Sequence, residues 1–134
     1  MKIQIFDGSV VFAEGTIGRR MDKPTFLRSR IGESSKVVVA NGPWTTYSIS
    51  PEPGVAASIS FENDRLRELG VQFRLPSDDT NEWSDEAEQE RLVLHDEWLN
   101  AELGKPPYRY AWGQVESSFD PRGGGSDIVL HYAD

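Results

Sequence analysis

The apolar positions divide the chain into many short segments of period two and one long segment of helical period. Val55, Ala57, Ile59 and Phe61 alternate with Ala56, Ser58 and Ser60, which predicts a strand with one buried face. Val71, Phe73 and Leu75 alternate in the same way, as do Ile128, Leu130 and Tyr132 with Val129 and His131 on the opposite side. Lys36 to Ala40, with three consecutive valines, and Trp44 to Ser50 are strands by composition, separated by an Asn41-Gly42-Pro43 turn. Pro51-Glu52-Pro53-Gly54 turns the chain into the Val55 strand. At the N-terminus Ile3, Ile5 and Phe6, then Asp7-Gly8, then Val10-Val11-Phe12 predict a hairpin. Tyr108, Tyr110, Trp112 and Val115 nearly alternate, with Phe119 further on, and predict a last hairpin turning over Asp120 to Ser126. Asn63 to Gly70 carries a cap-like start and a glycine stop, and reads as one helical turn or a wide loop.

The helical segment runs from Asp85 to Leu103. Asp85 is the expected cap, Glu88 stands at capping-box spacing, and Asp85, Glu86 and Glu88 set negative charge at the positive end of the helix dipole. Gly104 and then Pro106-Pro107 forbid continuation. A shorter helix is predicted near 23–31, with Asp22 as cap, Pro24 in the first turn and Gly32 as its end. These elements predict an α+β fold: a mostly antiparallel sheet of about six or seven strands, packed against the 85–103 helix. Leu92, Trp98, Leu99 and Leu103 are its expected core residues, facing Trp112, Ile128 and Leu130. A chain of 134 residues suits one such domain, 1–134.

Placing the long helix on a wheel exposes an anomaly. Leu92, Leu99 and Leu103 form one edge of an apolar arc, and Ala87, Leu94, Trp98 and Ala101 form the other. Between them lie Glu88, Arg91, His95 and Glu102, aligned by spacings of three, four and seven. Half-buried charges require partners, so one reading is a structural network. The sharper reading is a site, with His95 and Glu88 or Glu102 as an acid/base pair and Arg91 holding an anion. A face that meets a partner protein is the third.

Composition narrows the chemistry. There are no cysteines, which excludes disulfides, thiolate zinc sites and a cysteine nucleophile. His95 and His131 are the only imidazoles, and no His-Glu-x-x-His, Gly-x-Ser-x-Gly or P-loop motif occurs, so no catalytic residues, metal or cofactor are expected. Gly123 to Gly125 after Arg122 can offer N–H groups to an anion, but a hairpin turn explains them without one. The formal charge is -8 and the pI about 4.7, which disfavours nucleic acid and anionic lipid as partners. Asp7 interrupts any signal-peptide core and no apolar run approaches a membrane span, so a cytoplasmic location is expected. From Pro76 to Glu90 there are seven acidic residues and no basic one; Asp78, Asp79, Glu82, Asp85 and Glu86 are the candidate contacts for a basic partner, and Trp83 is expected to anchor this loop.

One longer pattern has a parallel. Glu88-x-x-Arg91-x-x-x-His95-Asp96-x-Trp98-Leu99-x-x-x-Leu103-Gly104 is followed by Tyr110-x-Trp112-Gly113-x-Val115-x-Ser117-x-x-Asp120 and by Arg122-Gly123-Gly124-x-Ser126-x-Ile128. It resembles small bacterial proteins of unassigned biochemistry, some of which accompany toxin or contact-dependent inhibition genes as immunity proteins. The resemblance implies a non-enzymatic protein-binding domain and a toxin as partner; it carries no catalytic residues. A pocket at Glu88, Arg91 and His95 that binds a small molecule, and a structural role in an oligomer, are the alternatives.

Overall fold

The computed structural model of the chain describes residues 1–76, 78, 84–120 and 125–133. The expectations for Asp79, Glu82, Trp83 and the Arg122–Gly124 run lie outside the described residues. The strands are β1 (Lys2–Ile3), β2 (Val10–Phe12), β3 (Gly15–Ile17), β4 (Lys36–Asn41), β5 (Trp44–Glu52), β6 (Val55–Glu62), β7 (Arg65–Phe73), β8 (Tyr108–Tyr110), β9 (Gly113–Asp120) and β10 (Gly125–Tyr132). The helices are α1 (Lys23–Arg28), α2 (Arg30–Glu33) and α3 (Asp85–Leu103).

The fold is α+β. Seven strands form an antiparallel sheet in the order β4-β5-β6-β7-β10-β9-β8, and β1-β2-β3 form a small sheet of their own. Two meanders, β4 to β7 and β8 to β10, meet where β10 pairs with β7, Ile128 opposite Val71 and Leu130 opposite Leu69. That register lines Ile59, Leu69 and Leu130 across one face of neighbouring strands, all fully buried. Every cover among the described residues lies on this face. Phe26 of α1 packs on Tyr47 and Phe61, α3 docks on β7, β9 and β10, and the small sheet is tied to the far end. The other face of the large sheet carries half-buried polar and small residues.

Several elements depart from the sequence expectation. The 63–70 segment is neither helical turn nor loop: Asn63-Asp64 is a tight turn and Arg65–Phe73 is a strand. Asn63 takes a φ of +53°, which asparagine tolerates, and a bulge opposite Ser60 and Phe61 puts Leu66 and Leu69 on the same buried side despite their spacing of three. The bulge breaks the period-two signal, and an NDRLRELG stretch then looks helical. Gly15 to Ile17 also forms a strand. The 23–31 helix is two short helices. Ser29 closes α1 and caps α2 by accepting from Gly32 N–H at 3.1 Å, and Gly32 lies inside α2, where a Cβ would fall 1.8 Å from the Phe26 carbonyl oxygen. The last hairpin is a three-strand meander, because Ala111-Trp112 makes an extra turn between β8 and β9. The first strand ends at Ile3, leaving Ile5 and Phe6 exposed.

Trp112 holds the small sheet to the large one. It is buried beside Gly8, stacks with Tyr110 at 5.2 Å between ring centroids, and donates its indole N–H to the Ile5 carbonyl at 2.7 Å. The Tyr132 hydroxyl adds a 2.8 Å bond to the Gly8 carbonyl. A Cβ on Gly8 would come within 2.6 Å of the indole, so only glycine admits the ring there. Trp112→Ala is expected to cost about 3–5 kcal/mol in urea unfolding, against less for half-buried Trp98. Equal losses for the two would refute this account.

Candidate functional site

The face that α3 turns to the sheet is polar. Its buried residues are Glu88, Arg91, His95 and Leu99, at spacings of three, four and four. Of the expected apolar arc only Leu99 is fully buried; Leu92, Trp98 and Leu103 are half-buried, and Leu94 and Ala101 face solvent. Glu102 is exposed and does not join the ridge. It follows His95 by the same seven residues that separate His95 from Glu88, so spacing does not set it apart; it is the last residue but one of the helix. The helix start also shifts. Ser84, not Asp85, is the cap, and its hydroxyl accepts from Ala87 N–H at 3.1 Å. Glu88 is thereby released from capping and turns inward.

Arg91 is the centre of the network. Its Nε and Nη2 donate to the two oxygens of Glu88, each at 3.1 Å. Nη1 and Nη2 grip Asp78 bidentately at 2.9 and 2.7 Å, and Nη1 also donates to the Phe73 carbonyl at 2.6 Å. All five guanidinium N–H groups therefore have acceptors. The hydrogen bonds that Arg91 donates to Asp78, ahead of those to Glu88, hold its pKa above the ordinary value. Arg91 in turn lowers the pKa of Asp78, which also accepts from Leu75 N–H at 2.8 Å. Glu88 reaches across to β10: its carboxylate accepts from Ser126 N–H at 3.0 Å, and its backbone carbonyl accepts from the Ser126 hydroxyl at 2.7 Å.

His95 is the neutral member. Phe73 N–H donates to its Nε2 at 3.1 Å, so Nε2 carries no proton and Nδ1 does. Nδ1 has no partner among the described residues. Burial first, and the Arg91 charge second, depress the His95 pKa to about 4. A protonated ring would also lose the bond from Phe73, since both nitrogens would then be donors.

The acidic candidates separate. Asp78 is committed to Arg91, while Asp85 and Glu86 are exposed at the start of α3. Ser126, which the sequence places in a turn, is fully buried, and Asp127 stands beside it. A cavity of about 730 Å³, lined in part by Arg19, Arg20, Arg65 and Arg67, has no counterpart in the sequence pattern. Arg65 and Arg67 stand two apart on β7, a spacing that carries meaning in a strand and none in a helical turn. His131 sits on the open sheet face between Glu68 and Glu116, at 3.1 and 2.9 Å. Glu88, Arg91 and His95 line none of the four main surface cavities. No described helix is long and apolar enough to cross a membrane, and no group of metal-ligating side chains occurs among the described residues.

The architecture is thus an α+β protein with a one-sided antiparallel sheet. No family model and no curated protein matches the chain. Among solved structures it is similar to a chain of the complex of Rhs1-CT with its cognate immunity protein RhsI1, with a TM-score of 0.62 and 14% identity, covering 98% of this chain and 86% of that one. At that identity the likeness is one of fold.

Removing a partner from a buried charge costs about 3–5 kcal/mol, so Arg91→Ala should lower stability by that amount, with strong coupling to Glu88→Gln in a double-mutant cycle. Additive losses would refute the network. His95 adds a pH signature. Its folded pKa of about 4 lies below the ordinary 6.5, so stability is full above the latter and falls as pH drops from 6.5 to 4. The integral is roughly 3 kcal/mol. Asp78 adds a loss below its ordinary 3.8, whereas Asp127, whose pKa burial raises, acts in the opposite direction. His95→Gln should flatten the upper part of the profile in denaturant titrations. An unchanged slope would disprove the assignment.

Proposed function

We propose that this chain is a non-catalytic binding protein of the toxin-immunity kind, which neutralises a basic toxin domain by covering it. The observation that carries the reading is the fold similarity, over 98% of the chain, to a chain of a solved toxin–immunity complex. The net charge of -8 supports a cationic partner, and exposed Asp85 and Glu86 supply part of the acidic surface that would steer it. Glu88, Arg91 and His95 are buried and bonded to the strands they dock on, which supports a scaffolding role for them over a small-molecule pocket. Asp78 belongs to that scaffold and would contribute to the surface only through its partly exposed edge.

A second reading has its own observation. Val37, Val38 and Val39 are exposed on β4, an edge strand with one paired neighbour, and such edges pair with other chains. Sedimentation at high concentration tests self-assembly through that edge, and a strict monomer rejects it.

The main reading is tested by tagged purification from the native host at low salt with native mass spectrometry, followed by co-expression of the chain with the protein recovered. A stoichiometric basic partner whose toxicity the chain suppresses is the expected result; a partner that stays toxic sinks the proposal. Reversing Asp85 and Glu86 to lysine should slow association about tenfold at low salt, and much less at high salt, where exposed charges are screened. Asp78 is to be left intact in that variant, since its loss would disturb Arg91.

A further inference from the structure

The open face of the large sheet holds a small trough with an unusual floor. It is a cavity of about 270 Å³ lined by residues that include Ser48, Ala56, Ser58, Gly70, Gln72 and Asp127. That volume lies below the range typical of drug-sized ligand pockets and suits a single side chain. Ser58 pairs with Gly70 across β6 and β7, Gly70 pairs with Val129 on β10, and Ser48 stands opposite Ser58 on β5, so the trough spans four strands. Its walls are short side chains, in contrast to the neighbouring Glu68, Glu116 and His131.

Gly70 keeps the trough open. Its backbone φ is not positive, so the conformation itself does not call for glycine. A Cβ there would project towards the Ser58 hydroxyl at 3.1 Å and Asp127 Oδ2 at 4.0 Å, filling the space above the carboxylate. Asp127 is half-buried on the floor. Its Oδ1 accepts from the Gln72 side-chain amide at 2.6 Å, and it has no ion pair with a cation among the described residues. Burial, the largest effect, raises its pKa; the Gln72 hydrogen bond lowers it, and the charges of Glu88 and Arg91 then raise and lower it in turn. A desolvated carboxylate with one neutral hydrogen-bond donor is a poor end state for the isolated chain and a good receptor for a cation.

We propose that this trough receives one arginine or lysine side chain of the protein partner, with Asp127 as its counter-ion, Ser58 and Gln72 as flanking polar groups, and the space left by Gly70 as its entrance. The inference rests on the protein-binding reading and names the partner's chemistry at a place away from the start of α3. The alkyl stem of the incoming residue lies along Ala56, and its charged head meets Asp127. A cross-strand Asp127–Gln72 pair that serves the sheet alone is the rival account, and the two differ in sign. For a receptor, Asp127→Asn relieves an unpaired desolvated charge and raises the melting temperature of the isolated protein at neutral pH. For a structural pair, it lowers it.

The test uses the full chain and N-acetyl-Gly-Arg-Gly-amide as probe, followed by amide chemical shifts in NMR, with the citrulline peptide as the neutral control. Saturable shifts centred on Ser58, Gly70, Gln72 and Asp127 are expected with arginine and not with citrulline. Asp127→Asn and Gly70→Val should each weaken binding at least tenfold while remaining folded by the same spectra. No saturable shift, equal shifts with citrulline, undiminished binding by Asp127→Asn, or a lowered melting temperature for that variant would each overturn the proposal. If the probe binds as expected but the chain protects against no toxin, the immunity reading fails and the trough stands. If the recovered toxin binds both variants with unchanged affinity, the trough fails and the immunity reading stands.

Discussion

A buried guanidinium tolerates no missing acceptor, and Arg91 has all five of its N–H groups engaged. Those five bonds reach the end of β7, the segment that follows it and the helix α3 itself. The bidentate grip on Asp78 fixes the return of the chain from the sheet to the helix, and the pair to Glu88 sets the rotation of α3. Glu88 then passes the constraint on to β10 through Ser126, and His95 repeats the link to β7 one turn later. The helix is pinned at three polar points before Leu99 makes its apolar contact. Apolar packing alone would permit neighbouring rotations at similar energy, because it is not directional. Hydrogen-bonded charges do not, since each slip leaves a desolvated group without a partner.

That mode of docking explains the one-sided character of the sheet. Two short helices, one long helix and a three-stranded sheet all lie on the face that holds Ile59, Leu69, Ile128 and Leu130. The opposite face keeps half-buried serines, alanines, a glycine and charged residues. An antiparallel sheet accommodates this arrangement, because its alternate side chains can serve core and solvent separately. It also leaves a broad, regular surface, held rigid from behind, on which a partner can be recognised by a few well-placed groups.

The two ends of the sheet are finished differently. At one end Trp112 and Tyr132 tether the small sheet through bonds to the backbone of Ile5 and Gly8. At the other, β4 is an open edge strand that carries exposed valines, a bulge around Val38 and a lysine at its start.

The period-two signals by themselves determined that a mostly antiparallel sheet would form; β5 and β6 lie where alternation and turn residues put them, while β10 starts at Gly125, inside the expected turn. The long helix was equally legible, since 19 residues between a capping serine and Gly104 contain no breaker. Even the polar ridge could be read, because helical spacing aligns Glu88, Arg91 and His95 whatever surrounds them. What tertiary structure decided was which residues become partners. Asp78 looked like free acidic surface until the chain's return laid it against Arg91, and Glu102 looked like part of the ridge until the helix carried it into solvent. Ser126 and Asp127 are neighbours with opposite fates, one locked to Glu88 and the other on the open face, because both lie in β10, paired with β9, where successive side chains alternate between the two faces. Local sequence encodes periodicity and turns; burial depends on which distant strand arrives alongside, and a bulge such as the one beside Ser60 and Phe61 hides even the periodicity.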